Sequence, residues 1–362
     1  MPASVHIALF VPDLSGGGAE RVMLNLAHGF LERGITTDLV LLNAQGAWLD
    51  KVDSRLNIHD LGVPRALNSI GPLVHYLRHQ QPDALISALG QTNLAALVAK
   101  RLSTTRIPVL VTEHQSFERG REAGFRQKIF PFLARRLYPA AKVAAVSSGV
   151  ADSLAEVTGL PRQDIAVIPN PVLTDGLAEL AAEPLPDTVR KPYVLGMGRL
   201  TGQKNFPLLL DAYRRVAAER SDLDLVILGE GPDRPELEAR IAELGLAERV
   251  SLPGFQANPY PWLKQAAAFA LSSDWEGLPT VLIEALALNV PVVATDCPSG
   301  PREILDGGRL GRLVPMNDAP ALAAALLEAA AEPGNPATAE DLAPYTVRSA
   351  TAAYLRALGL PG

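Results

Sequence analysis

Two glutamates stand eight residues apart in a stretch that reads S-D-W-E-G-L-P-T-V-L-I-E-A-L-A-L-N-V-P-V-V-A-T between positions 273 and 295. Glu276 sits in a Gly/Pro loop that offers N–H groups at Gly277 and Leu278, and Glu284 lies just inside the helix expected to follow. Such a pair can serve as the acid and base of a glycoside hydrolase. It can instead accept hydrogen bonds from sugar or ribose hydroxyls, two to a carboxylate. The bland alternative is two satisfied structural carboxylates. The helix around Glu284 is otherwise apolar (Val281, Leu282, Ile283, Ala285, Leu286), so a carboxylate there needs a polar partner, because burying it unpaired is costly.

The segment Gly198-Arg199-Leu200-Thr201-Gly202-Gln203-Lys204-Asn205 lies between an expected strand and an expected helix. Free backbone N–H groups and the helix dipole suit an anion at that position. Arg199 adds a fork-shaped cation and Lys204 a point-like one, which makes a diphosphate the natural ligand. The alternative is a pair of solvated loop charges. A hydrolase would leave Arg199 and Lys204 without a purpose, so the hydroxyl-binding reading of Glu276 and Glu284 ranks above it.

Other residues are weaker candidates. His114 ends the strand-like run before it and should point toward a ligand, although a lone histidine is commonly structural. Gly16-Gly17-Gly18 follows the first strand but fails the dinucleotide fingerprint, which would need glycine where Arg21 stands. Close backbone approach to a ligand or to another domain remains open to it. Asp222-Leu223-Asp224 looks like a metal-binding D-x-D, yet it sits at the start of a strand, the wrong end of a parallel sheet for a ligand. No His/Cys/Asp cluster has metal spacing. Cys297 has no paired base nearby in sequence and reads as a small packed residue. Residues 117–142 carry Arg119, Arg121, Arg126, Lys128, Arg135, Arg136 and Lys142 against Glu118 and Glu122, interleaved with Phe125, Ile129, Phe130, Phe132, Leu133 and Leu137. A basic amphipathic stretch of this kind can lie on an anionic membrane surface; it can equally pack on its own domain with solvated arginines.

These residues need elements to hold them. Apolar strands are expected at 5–12, 37–42, 57–61, 84–87, 109–112 and 143–146, alternating with helices at 21–32, 70–79, 92–101, 127–138 and 149–158, and 15–20 reads as a loop. Residues 169–186 contain four prolines and no periodicity, which reads as a linker. The alternation then restarts, with strands at 193–197, 223–228, 250–252, 267–271, 290–294 and 313–315 and helices at 206–220, 234–244, 260–266, 319–331 and 347–358. Strands alternating with helices predict doubly wound parallel sheets. The halves echo each other in K-V-A-A-V-S-S-G from Lys142 and A-A-F-A-L-S-S-D from Ala267. Two such domains, facing each other across a cleft, are the expected architecture.

The bulk numbers agree. A chain of 362 residues with 48% hydrophobic content is long enough for two cores. The first 180 residues carry 17 Lys and Arg against 16 Asp and Glu, the remainder 16 against 23, and the net charge of −6 argues against bulk nucleic-acid binding. One cysteine excludes a disulfide framework and fits a reducing compartment. No signal peptide is recognised at the N-terminus, and no apolar run approaches the roughly 18 residues a membrane span needs.

Together these motifs resemble the retaining GT-B glycosyltransferases of glycosyltransferase family 4. The resemblance covers nearly the whole chain and is densest between 196 and 303. It rests on Glu276 and Glu284 within E-G-L-P-T-V-L-I-E-A-L-A, on P-V-V-A-T-D, on Gly198, Arg199, Lys204 and Asn205, on Gly-Glu-Gly-Pro at 229–232, and on the early G-G-G-A-E loop. It implies an α/β fold of two facing Rossmann-like domains: 1–175 for the acceptor, joined by a C-terminal crossover helix at about 345–362, and 176–344 for the donor. It implies transfer of a sugar from a nucleotide sugar, a co-substrate, with retained anomeric configuration and neither metal nor further cofactor. Carried over by residue, Arg199 and Lys204 would hold the diphosphate beside Gly198. Glu284 would bind the ribose, and Glu276 with Gly277, Leu278, Pro279 and Thr280 the donor sugar. His114 would sit near the reacting sugar, and Gly17 and Gly18 near the phosphates or acceptor. Uridine is the commonest base in the family and the one expected, with guanosine the alternative. The segments 258–262 and 297–303 are similar to those of members that extend lipid-linked or surface polysaccharide sugars. With the basic stretch, that implies a glycan or lipid-linked acceptor and a cytoplasmic protein docked on the inner face of the cell membrane through 117–138. A sugar-nucleotide epimerase of the same architecture and a transferase acting on a small soluble acceptor are the competing enzymes, and a non-catalytic sugar-nucleotide binder the competing class.

Overall fold

Strands made of near-continuous Val, Ile, Leu and Ala must be covered on both faces, which is the signature of parallel sheets flanked by helices. The computed structural model describes residues 5–15, 17–116, 125–186, 189, 192–332 and 334–361, and it divides into two units, Met1–Val172 with Pro344–Gly362 and Leu173–Ala343.

The first unit holds seven parallel strands: β1 (His6–Val11), β2 (Thr36–Leu41), β3 (Asn57–Asp60), β4 (Ala84–Ala88), β5 (Val109–Glu113), β6 (Lys142–Ala145) and β7 (Ile165–Val167). Their spatial order is β3-β2-β1-β4-β5-β6-β7. The order reverses between β1 and β4, so the carboxyl ends of those strands diverge into a crevice where open sheets bind ligands. Ile7, Leu9, Leu39, Leu41 and Ile86 from the strands pack with Met23, Leu26 and Phe30 of the helix Gly18–Leu31. The last helix, Val347–Leu358, adds Tyr354, Leu355 and Leu358 to the same core. Gly29 makes that packing close: a Cβ there would meet Thr351 Oγ1 at 2.2 Å.

The second unit holds β8 (Tyr193–Met197), β9 (Asp224–Leu228), β10 (Val250–Gly254), β11 (Ala268–Leu271), β12 (Val292–Thr295) and β13 (Arg312–Val314), again all parallel, in the order β10-β9-β8-β11-β12-β13. Its reversal falls between β8 and β11. The register Ala268↔Val194, Phe269↔Leu195, Ala270↔Gly196 sets these two strands side by side, so the loops that follow them emerge together.

The structure departs from the sequence reading in a few places. The segment 15–20 is not all loop: the helix opens at Gly18, with Gly17 as its N-cap. Glu20 in its first turn suits the positive end of the helix dipole. The proline-rich segment 169–186 contains a short helix, Leu177–Ala181, anchored where Asn258 Nδ2 donates to the Leu180 carbonyl at 2.8 Å. Strand β7 and the single-turn helices Pro301–Ile304 and Ala339–Leu342 are too short to show a period. Of the basic stretch, residues 117–124 lie outside the described residues, as does Gly16. Among the described residues no helix is long and apolar enough to cross a membrane.

Candidate active site

The loops after β8 and β11 are zipped together by their own polar groups. From the first loop, Gln203 Nε2 donates to the Trp275 carbonyl at 2.9 Å and the Gln203 carbonyl accepts from the Asp274 amide at 2.9 Å. Asn205 Nδ2 donates to Asp274 Oδ1 at 2.8 Å, while its Oδ1 accepts from the Leu208 amide at 3.2 Å and so caps the helix Phe206–Glu219. Asn205 adopts the left-handed conformation (φ 43°), which asparagine tolerates better than most residues. From the second loop, Ser272 Oγ donates to the Lys204 carbonyl at 2.8 Å.

This zipper joins two of the residues singled out above. Lys204 Nζ lies 2.5 Å from Glu276 Oε1. Ser273 Oγ donates to the same oxygen at 2.6 Å. Ser273 is fixed in turn because Thr295 Oγ1, at the end of β12, donates to its carbonyl at 2.6 Å. The Lys204 stem crosses Gly198, where a Cβ would meet Lys204 Cε at 2.8 Å. Arg199 is exposed, and no hydrogen bond or ion pair holds its guanidinium among the described residues.

Backbone approaches brace both loops. Gly229 and Gly231 press against the first: Cβ atoms there would lie 1.9 Å from the Gly198 carbonyl oxygen and 2.2 Å from that of Leu200. The two glycines of the Gly-Glu-Gly-Pro segment thus allow this close approach. The second loop rests on Gly300, at φ 92°, where a Cβ would meet Pro279 Cδ at 2.5 Å. Gly277, Leu278 and Pro279 are buried and Thr280 opens the helix Thr280–Ala287. Glu284, on that helix, is 1% exposed, and Tyr260 OH donates to its Oε1 at 3.1 Å. Cys297 is buried beside this loop, and burial, reinforced by the Glu276 charge, pushes its thiol up to about 12. It is a packed thiol, not a nucleophile.

Ser273, Gln203, Thr295 and Tyr260 lie in segments quoted from the sequence but were given no role of their own there. The repeated Ser-Ser after a strand carried a signal for Ser273; the other three are visible only through contacts between segments distant in the chain.

Asp222 and Asp224 are each taken by an arginine, Arg220 at 2.8 Å and Arg249 at 2.6 Å, at the amino-terminal end of β9. Among the described residues no group of His, Cys, Asp or Glu is arranged to hold a metal ion.

In the first unit, Gly17 and Gly18 open the helix after β1 and are exposed. His114 follows β5 directly. It is 8% exposed, neither ring nitrogen has a hydrogen-bond partner among the described residues, and burial pushes it down to about 4. Its imidazole is therefore neutral near pH 7, able to donate from one nitrogen and accept at the other. Chemically, the second unit offers a cation and a carboxylate at a sheet's switch point with a second carboxylate on the next helix. The first unit offers a neutral imidazole with no hydrogen-bond partner among the described residues.

The comparisons with known proteins cover both units. Residues 191–332 match the family described as glycosyl transferases group 1, and residues 16–176 match glycosyltransferase family 4. The N-acetylgalactosamine-N,N'-diacetylbacillosaminyl-diphospho-undecaprenol 4-alpha-N-acetylgalactosaminyltransferase of Campylobacter jejuni is 31% identical over 330 residues, 86% of each chain. The lipopolysaccharide 1,6-galactosyltransferase of Salmonella typhimurium is 27% identical over 324 residues, 85% of each chain. Among solved structures, HepE of Anabaena in complex with UDP and glucose superposes with a TM-score of 0.79 at 19% identity, covering 98% of this chain and 99% of that one.

Proposed function

The chain belongs to the group 1 glycosyl transferases of glycosyltransferase family 4, and on that premise we propose that it moves a sugar, with retention of configuration and without a metal, from a UDP-sugar to a lipid-linked glycan. The observation that carries the proposal is the Lys204–Glu276 pair at the carboxyl ends of β8 and β11. It sets a cation for phosphate against a carboxylate for hydroxyls within one hydrogen bond.

Arg199, Lys204 and the N-terminus of the helix Phe206–Glu219 receive the diphosphate. Glu284 takes the ribose hydroxyls. Glu276, with the loop Gly277, Leu278, Pro279 and Thr280, takes the transferred sugar, and His114 serves the reacting end of that sugar. Gly198 leaves room for Lys204, and Gly17 and Gly18 allow close backbone approach to phosphate or acceptor.

The chemistry follows from where charge develops. As the bond from the anomeric carbon to phosphate loosens, negative charge grows on the leaving diphosphate. Arg199, Lys204 and the helix dipole stabilise it, the task a metal performs elsewhere. The acceptor hydroxyl attacks the same face, and the departing phosphate oxygen takes its proton. The engagement of Asp222 and Asp224 by arginines supports a metal-free reaction. Relatives named for diphospho-undecaprenol and lipopolysaccharide support a lipid-linked acceptor. A structural neighbour's UDP complex supports uridine.

Thermal shift against a panel of UDP- and GDP-sugars, followed by transfer of the stabilising sugar to a diphospho-polyprenol glycan in excess EDTA, tests the proposal. Stabilisation by a UDP-sugar and EDTA-insensitive transfer are expected. Stabilisation by GDP-sugars alone, abolition by EDTA, or interconversion of the donor without acceptor would each defeat the corresponding element.

A further inference from the structure

We propose that Glu113 is a positioning residue for His114, tying the end of β5 to the helix Gly90–Ser103 and to Tyr138 so that the imidazole keeps both nitrogens for substrate. The proposal rests on the role given to His114 above. Three consecutive residues carry the argument. Thr112 is locked twice: its carbonyl accepts from Asn93 Nδ2 at 3.0 Å, and its Oγ1 accepts from Tyr354 OH of the last helix at 3.2 Å. Glu113 is locked twice on one oxygen, where Oε1 accepts from Asn93 Nδ2 at 2.8 Å and from Tyr138 OH. His114, next in the chain, makes no hydrogen bond through its ring among the described residues.

The partners arrive from separate elements. Asn93 is on the helix Gly90–Ser103, Tyr138 follows the helix Phe125–Leu137, and Tyr354 is on the helix Val347–Leu358. Glu113, Asn93 and Tyr138 are 3%, 0% and 0% exposed, so water does not loosen the network. Buried hydrogen-bond networks of this kind rigidify the segments they join. The strand end therefore cannot turn to bury the imidazole differently without breaking four hydrogen bonds.

Burial also sets charge, against the pull of the Tyr138 and Asn93 hydrogen bonds. Burial pushes the Glu113 carboxyl up to about 7, and among the described residues no lysine, arginine or second carboxyl is hydrogen-bonded or ion-paired to it. Of the titratable groups described around it, Tyr138 bonds it directly, Tyr354 bonds the neighbouring Thr112, and His114 follows it in the chain. An ionised carboxylate here would favour an imidazolium at His114; an uncharged one leaves the imidazole neutral.

The test compares Glu113→Leu, Glu113→Gln, His114→Ala and the double variant that combines E113L with H114A, using sugar transfer and nitrogen shifts of the His114 ring in ¹⁵N-histidine protein. The E113L variant leaves Asn93 and Tyr138 without their acceptor. It is expected to lower kcat roughly 10- to 100-fold, as small misplacements do, with donor KM within about threefold, and to move the His114 shifts. E113Q, whose amide oxygen can accept both bonds, is expected to keep most of kcat. In the H114A background, E113L should cost nothing further. Multiplicative losses in the double variant, or unmoved His114 shifts in E113L, overturn the proposal. Full activity of H114A removes the role assigned to the histidine, and the ring shifts then decide the positioning claim alone. Should E113L not fold, Tyr138→Phe, which removes one donor, must move the same shifts in the same direction.

Discussion

Lys204 Nζ and Glu276 Oε1 lie 2.5 Å apart, with side chains 15% and 7% exposed. The cation assigned to the leaving phosphate and the carboxylate assigned to the sugar are thus each other's partner. A donor would share the ammonium between carboxylate and phosphate instead of drawing it in from solvent. Groups already aimed and desolvated cost little to reorganise when charge develops.

The two cations of the loop should therefore behave differently. Arg199 is exposed and its guanidinium is held by no partner among the described residues, so Arg199→Ala is expected to cost roughly a hundredfold in turnover with little change in Tm. Lys204→Ala should cost a similar factor in turnover. It should also destabilise the fold by about 3 kcal/mol, because a mostly buried Glu276 loses its counterion. Steady-state kinetics with thermal melts of both variants check this. Equal Tm losses, or near-normal turnover in R199A, would contradict the division.

Glu284 should act on binding more than on chemistry. It is nearly fully buried on an apolar helix with Tyr260 as a donor. Glu284→Gln weakens its acceptance of ribose hydroxyls and should raise donor KM about tenfold, which corresponds to about 1.4 kcal/mol, with a smaller effect on kcat. The wild-type protein should discriminate against a 2'-deoxy donor, and the variant should discriminate less. Equal discrimination by both proteins would place the ribose elsewhere.

The fold was legible because parallel strands must be apolar throughout and helices must be amphipathic, and each signal repeats along the chain. Glu276, Glu284, Arg199 and Lys204 stood out because charges beside glycines at strand ends have few structural uses. What stayed hidden depends on contacts across distance. Nothing local to Thr295 marks it as the residue that holds Ser273, and nothing local to Glu113 shows that Asn93 and Tyr138 converge on it. The helix start at Gly18 was missed because glycine is a poor helix former, and only the chain's path after β1 places it in a first turn.

The neighbours Glu113 and His114 make opposing contributions to stability versus pH. The Glu113 carboxyl is raised from 4.5 to about 7. Its contribution is fully present below pH 4.5 and is lost as pH rises toward 7. His114 is lowered from 6.5 to about 4, so its contribution is present above pH 6.5 and lost as pH falls toward 4. Each shift corresponds to roughly 3 kcal/mol, and between pH 4.5 and 6.5 they offset. Urea midpoints across pH 4–8 should therefore separate the variants. E113Q should gain stability with rising pH relative to wild type, and His114→Asn should lose it. Parallel curves for all three proteins would show that these groups do not titrate as their burial implies.

The helix Phe125–Leu137 presents an unusual outer face. Ile129, Phe132 and Leu133 are 38%, 61% and 37% exposed, at the i, i+3, i+4 spacing that aligns side chains on one side of a helix. Arg135 and Arg136 are exposed beside them, and the Arg136 guanidinium lies 5.8 Å from the centre of the Phe132 ring. Ala134 is buried inward, as is Tyr138 just beyond the helix. An apolar stripe edged by arginines suits the interface of an anionic bilayer, where each basic residue contributes about 1 kcal/mol. The double substitution Phe132→Glu with Leu133→Glu should abolish flotation with phosphatidylglycerol vesicles and lower transfer to a lipid-linked acceptor. It should lower Tm only modestly, because Phe132 is mostly exposed and Leu133 is 37% exposed. Raising the salt should weaken wild-type flotation in the same direction. Flotation that survives the double substitution, or that never occurs with wild type, would leave this face without a membrane role.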